Sequence, residues 1–293
     1  MSISSKFHVL VMLSFLVAVQ LIALAITPAI SATDNRVFED PASISNPIIY
    51  MLLILIFTAI LLLAIKLKGD WLVRGFIQIS IALTIFYVIS AIMPMWLALL
   101  LTLAVMLLLH YYPEWYILDA FGILVCAAVA SLLGVSMTVM PVIILMVILA
   151  VYDAISVYKT RHMVALAEGA IKMKAPLLFV VPKSRDYSFR RKDAVSISMG
   201  NDKKKGDRGA YFLGMGDAII PSILVISASW SYPPGDILGL NLPALGAMLG
   251  TYAGFILLMT TSRDRPQAGL PFLNSGSILG FLAGCLAAGI RPF

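Results

Sequence analysis

Charge is what this 293-residue chain has least of: 12% of its residues are charged and 61% are hydrophobic. Ordinary soluble domains run at about 25% charged and about 45–50% apolar. The deficit excludes a soluble globular domain and points to a protein embedded in a membrane. Cysteine is nearly absent. Cys126 and Cys285 stand in separate apolar runs with no partner at metal-ligand spacing. That excludes a disulfide framework and a zinc site, and both read as packing residues. Histidine is scarce too: His8, His110 and His162 all fall at or near the ends of apolar runs. No HExxH motif occurs, and no GxSG-type serine motif with a membrane histidine, so zinc and serine chemistries are set aside and no metal or other cofactor is expected.

What is present is a series of long apolar runs. A membrane-crossing helix needs roughly 20 mostly apolar residues. Nine candidates stand at about 8–30, 48–66, 72–93, 95–112, 117–134, 138–158, 210–229, 240–261 and 268–289. "PAISA" before Thr33 resembles a signal-peptide cleavage site. The apolar core from Val9 to Ile26 exceeds the usual ~7–15 residues of such a peptide, which favours a retained helix. Pro94 in "MPMW" marks the turn between the third and fourth spans.

The basic residues set the orientation. Alternating the spans from Lys6 on the inside leaves Arg36 and Arg291 outside and places 19 of the 21 Lys and Arg residues inside. Positive charge concentrates on cytoplasmic loops, so the N-terminus is expected in the cytoplasm and the C-terminus outside. The net charge of +6 then reports topology and contact with anionic headgroups. The basic loop carries no recognisable nucleic-acid-binding fold, and no nucleic-acid partner is expected. The expected architecture is all-α and polytopic, with nine transmembrane helices. Its parts are 1–158 (helices one to six), a basic cytoplasmic loop at 159–208, and 209–293 (helices seven to nine).

An ionisable side chain at membrane depth is a functional hypothesis by default. Few qualify. Lys66, Lys68 and Arg74 stand at helix ends, where they can snorkel. His110, Glu114 and Asp119 flank the aromatic cluster "YYPEWY" and read as interfacial, with Asp119 lining a cavity as the lesser alternative. Gln20 and Gln78 are expected to hydrogen-bond neighbouring helices. Two deep acids remain, Asp153 in "LAVYDAISVY" and Asp217 in "LGMGDAII". Asp153 precedes Arg161 by eight residues, and Asp217 follows Arg208 by nine. At ~1.5 Å per helical residue both acids lie about 12–14 Å from the same loop, and so at one depth. If spans six and seven pack together, the carboxyls can face each other. Two carboxyls in a low-dielectric site cannot both ionise comfortably and hold one proton between them. The charged member can act as base on a water, and the protonated member can donate to a carbonyl under attack. Gly214 and Gly216 remove side chains where the Asp217 helix approaches a neighbour or a substrate backbone, and they loosen that helix.

"VYD" in span six and "GMGD" in span seven resemble the GxGD intramembrane aspartyl proteases, presenilin and signal peptide peptidase. The resemblance implies that Asp153 and Asp217 are the two catalytic acids, flanked by Tyr152, Gly214 and Gly216. Met215 stands where presenilin usually has leucine. Nine spans, a long loop between the catalytic helices and a short tail fit presenilin over most of the chain. Signal peptide peptidases look inverted, so the expected cytoplasmic loop favours presenilin, and the compactness resembles archaeal presenilin homologues. The family's third motif is Pro-Ala-Leu at the start of span nine. A literal copy, Pro243–Leu245, opens span eight instead. Position favours Pro271, Phe272 and Leu273 as the equivalent, beside the active site and holding substrate. The resemblance implies transmembrane-helix proteins as substrates and the lipid bilayer of the cell membrane as the setting; a homo-oligomer stays open. The rival function is ion or proton conduction through the paired acids, although no inverted repeat or crossing chain of acids is evident.

Gly246, Gly250, Gly254 and Gly276, Gly280, Gly284 form two ladders at four-residue spacing, expected to let spans eight and nine approach closely. In the loop, "HMVALAEGAIK" reads as an amphipathic extension of span six, and "APLLFVVP" as a segment touching the membrane or pairing with an extended substrate. Residues 183–208 are expected to be disordered.

Overall fold

A bilayer core offers backbone groups no water, so a spanning segment must satisfy them internally. The apolar runs accordingly become helices. In the computed structural model, residues 3–33, 37–67, 70–160, 178–183, 210–235, 239–261 and 267–292 are described. The expected amphipathic extension at 162–172 and nearly all of the expected disordered stretch lie outside those residues. The helices are α1 (Ile3–Ser31), α2 (Ser45–Lys66), α3 (Asp70–Ser90), α4 (Met95–Tyr111), α5 (Trp115–Ser136), α6 (Val139–Ile155), α7 (Met215–Ser231), α8 (Leu242–Thr261) and α9 (Leu270–Ala288). Six of them, α1, α3, α5, α6, α8 and α9, are long and apolar enough to cross a membrane. The other three carry shorter apolar segments, Ser45–Leu61, Met95–Tyr111 and Met215–Ser231. Pro94, with φ −56°, closes the turn into α4 as expected.

The short helix α7 is the most enclosed: Ile220 to Ala228 are all buried. It packs among α1, α5, α6, α8 and α9. Leu16, Val19 and Ala23 of α1 are fully buried in this core, so α1 is an integral part of it. The other side of the bundle is lipid-like: Leu99, Leu100 and Leu103 of α4 are each more than half exposed. Both cysteines are free and buried. Gln78 lies on the exposed face of α3. Gln20 departs from expectation. It is fully buried, yet neither amide atom has a hydrogen-bond partner among the described residues.

The glycine ladders meet along the α8–α9 contact. A Cβ on Gly250 would strike the carbonyl of Gly276, and one on Gly280 the carbonyl of Gly246. Gly254 is held as closely by the carbonyl of Phe272. Only hydrogen atoms fit between these backbones.

The all-α expectation needs a correction. Leu178–Pro182 (β1) pairs antiparallel with Ala210–Gly214 (β2), Val180 standing opposite Phe212. The helix expected from residue 210 starts only at Met215. Tyr211 and Phe212 favour a pleated strand, the glycines at 214 and 216 weaken a helix, and a β-branched partner lies in "LFVVP". Of the segment expected to touch the membrane or pair with an extended substrate, residues 178–182 are described, and Phe179, Val180 and Val181 are all buried rather than at a surface.

Candidate active site

Asp153 stands in the last turn of α6, and the next five residues, Ser156–Thr160, form a π-helical turn. Such wide turns recur at functional sites. Asp217 stands at the other polarity, in the first turn of α7. Gly214 caps that helix in an extended conformation, with φ −62° and ψ 134°. Asp217 is the third helical residue, and its carboxyl accepts a hydrogen bond from the Gly214 backbone. This is the reach of a capping box, which satisfies a donor that the helix start would leave unpaired. The helix macrodipole also favours an acid there. Pro221, four residues on, has no N–H to return to the Asp217 carbonyl, so the first turn is held loosely.

The expectation that both glycines lie inside the Asp217 helix is corrected. Gly214 ends a strand, and a Cβ there would lie 3.2 Å from Asp217 Oδ2. Gly216 is exposed, and a Cβ on it would meet nothing within 4 Å.

The two acids converge on the start of α9. The Leu270 N–H donates to Asp153 Oδ2 at 3.2 Å, with the Gly269 N–H beside it. A Cβ on Gly269 would lie 2.8–3.0 Å from the carboxyl atoms of Asp217, so that carboxyl rests on bare glycine. Asp153 is near enough for its charge to act on Asp217. Asp153 is buried, while Asp217 and Tyr152 are partly accessible. Pro271 occupies the first turn of α9, where a missing N–H leaves no gap. Phe272 is partly buried and Leu273 fully buried beside it. The literal Pro243–Leu245 lies elsewhere, with Leu242 and Pro243 against Gly284 near the far end of α9.

Two further contacts hold the α9 start, and neither has a signature in the sequence. Asn274 Nδ2 donates to the Met146 carbonyl of α6 at 2.8 Å, and the Ala268 N–H donates to the Tyr158 hydroxyl at 3.4 Å. Gly269 was legible only as the residue before "LPFL". Asp119, expected at the interface, is instead buried, and its Oδ1 accepts the Val180 N–H at 2.9 Å. Its neighbours Leu118, Val180 and Ala210 form an apolar cluster that keeps water out.

Two acids inside a bundle of apolar helices, both against the start of a third helix, define a class of helical proteins with a buried acidic site. The comparisons narrow this class. The family model "Signal-peptide peptidase, presenilin aspartyl protease" matches residues 13–290, and the chain belongs to that family. It is therefore a multi-pass membrane protein of a family of aspartyl proteases. The structure of a presenilin family intramembrane aspartate protease in a C222 crystal is similar at a TM-score of 0.68 and 34% identity, over 95% of this chain and 97% of the other. A second structure so described, in a P2 crystal, gives a TM-score of 0.67 at 34% identity, over 94% of this chain and 96% of the other. No curated relative matches the chain.

Proposed function

We propose that the protein is an endopeptidase that hydrolyses peptide bonds of transmembrane helices inside the cell membrane, with Asp153 and Asp217 as its catalytic pair. The observation that carries this reading is the convergence of both carboxyls on Gly269 and Leu270. One carboxylate takes a proton from water, whose oxygen attacks the scissile carbonyl carbon. The other acid gives its proton to the carbonyl oxygen. The tetrahedral diol collapses: the acid that took the water proton gives it to the amide nitrogen, the C–N bond breaks to release a neutral amine and a carboxylic acid, and a diol hydroxyl returns its proton to the other carboxylate. The chemistry calls for neither metal nor cofactor.

A helical substrate hides its carbonyls in its own hydrogen bonds, so it must uncoil before attack. The outer edge of β2, running into Gly214, supports an extended substrate by strand addition. The open space at Gly216 admits a backbone beside Asp217. Tyr152, Pro271, Phe272 and Leu273 flank the pair and support substrate. Nine spans, a cytoplasmic N-terminus and an external C-terminus complete the proposal, on the distribution of Lys and Arg.

The test is to incubate the purified protein in liposomes with a single-span protein and to read fragments by mass spectrometry. Cleavage within the span, blocked by a peptide carrying a hydroxyl isostere of the diol, is the expected result. Ion flux without fragments, undiminished by the isostere, would favour conduction and overturn the proposal.

Gly269→Ala arises directly from this geometry. Gly269 has φ −79° and ψ −43°, which alanine adopts without strain, so the effect is steric. The new methyl pushes the Asp217 carboxyl aside. The expected result is a kcat lower by about 10²-fold with an unchanged melting temperature. Wild-type kcat in that variant would show that the carboxyl does not need this floor.

A further inference from the structure

One face of α5 carries three consecutive contacts to the segment that delivers Asp217. Asp119 Oδ1 accepts the Val180 N–H at 2.9 Å. One turn on, a Cβ at Gly122 would collide with Met215 Cε and lie 3.3 Å from Phe179 Cε1. A turn further, the Cys126 thiol donates to the Met215 carbonyl at 3.8 Å. Met215 opens α7 two residues before Asp217. The stripe therefore holds β1, and through Met215 the start of the Asp217 helix.

The Asp119 bond also decides which strand edge is open. The Val180 N–H points at Asp119, away from β2, so Val180 and Phe212 form a non-hydrogen-bonded pair of the ladder. In such a pair the backbone groups of both residues point outward, here on opposite sides of the hairpin. On the β1 side the outward donor is capped by Asp119. On the β2 side the Phe212 N–H and carbonyl face outward, and Phe212 is partly accessible. The second oxygen, Asp119 Oδ2, has no partner among the described residues, so Oδ1 is the atom that pins the strand.

We propose that Asp119 is a positioning residue for proteolysis. Its carboxylate oxygen anchors β1 to α5 and blocks that strand's outer edge, so an extended substrate segment is received on β2, in register with Gly214 and Asp217. The proposal rests on the proteolytic reading above. It does not place Asp119 in contact with the scissile bond.

The test uses the full-length protein in liposomes with a single-span substrate. Asp119→Leu removes the acceptor and keeps the bulk. Its kcat should fall about tenfold or more, with the cut sites spread over neighbouring bonds as the register loosens. Asp119→Asn keeps an acceptor oxygen and should restore about a third or more of the wild-type kcat with a single cut site. A Val180→Cys/Phe212→Cys pair should form a disulfide readily in the background of wild-type Asp119 or of Asp119→Asn, and poorly alongside Asp119→Leu. Wild-type rate and cut site in Asp119→Leu would overturn the proposal, as would an Asp119→Asn variant no better than the leucine one. If Asp119→Leu does not accumulate, hydrogen exchange at the Val180 amide of the wild type decides. Slow exchange supports the anchor, and exchange as fast as that of an open strand edge overturns it. A wild type that cuts no substrate refutes the proteolytic reading instead, while the disulfide and exchange results still report on the anchor.

Discussion

Asp153→Asn and Asp217→Asn, each made alone, are expected to abolish cleavage of a single-span substrate, lowering kcat by about 10²–10⁴-fold or more. An amide can neither take a proton from water nor return one to the leaving nitrogen, so either substitution breaks the cycle. The losses should also be strongly non-additive, because the acids act as a unit: the double variant should be about as slow as either single one. Folding should survive, since asparagine is isosteric and keeps an oxygen for the Leu270 N–H at residue 153 and for the Gly214 backbone at residue 217. The measurement is kcat at saturating substrate beside the melting temperature of each variant. A variant cutting at the wild-type rate would remove that residue from the catalytic pair.

Gly280→Val is expected to have the largest effect on stability. The added Cβ would run into the Gly246 carbonyl and lie 2.9 Å from the Gly250 Cα. Both are backbone in the opposite helix, so no side chain can swing away. Overpacking of this kind costs about 3 kcal/mol, and α8 and α9 must separate to relieve it. The start of α9 would then lose its placement, so activity should fall with stability although residue 280 lies about 15 Å along the helix from Leu270. Gly75→Ala in α3 is the control. A Cβ there meets nothing within 4 Å, and alanine is the better helix former, so stability should hold or rise slightly. Thermal unfolding in detergent, followed by circular dichroism, compares the two. Equal melting temperatures would show that the ladder is not a tight contact.

The helices were legible because an apolar run in a bilayer has one common solution, a self-satisfied helix. The ladders were legible because four-residue spacing of glycine puts bare backbone on one face. Residues 210–214 were misread as the start of a helix for a physical reason. A short apolar run suits a strand as well as a helix, and only the partner strand, far off in the chain, decides between them. Asp119 was misread because it stands beside aromatic interfacial residues in sequence, while the hairpin that covers it comes some sixty positions later.

By itself the sequence determined a membrane-embedded chain, its helical runs and the two acids that stand within them. Composition and local spacing carry that information, since the bilayer acts on each segment separately. The tertiary structure alone decided that the Asp217 helix starts after a strand, that Gly269 and Leu270 sit under both carboxyls, and that Asp119 caps a strand edge. These depend on backbone N–H groups and bare Cα atoms brought together by packing, and a backbone donor looks the same at every residue until the fold chooses which one is used.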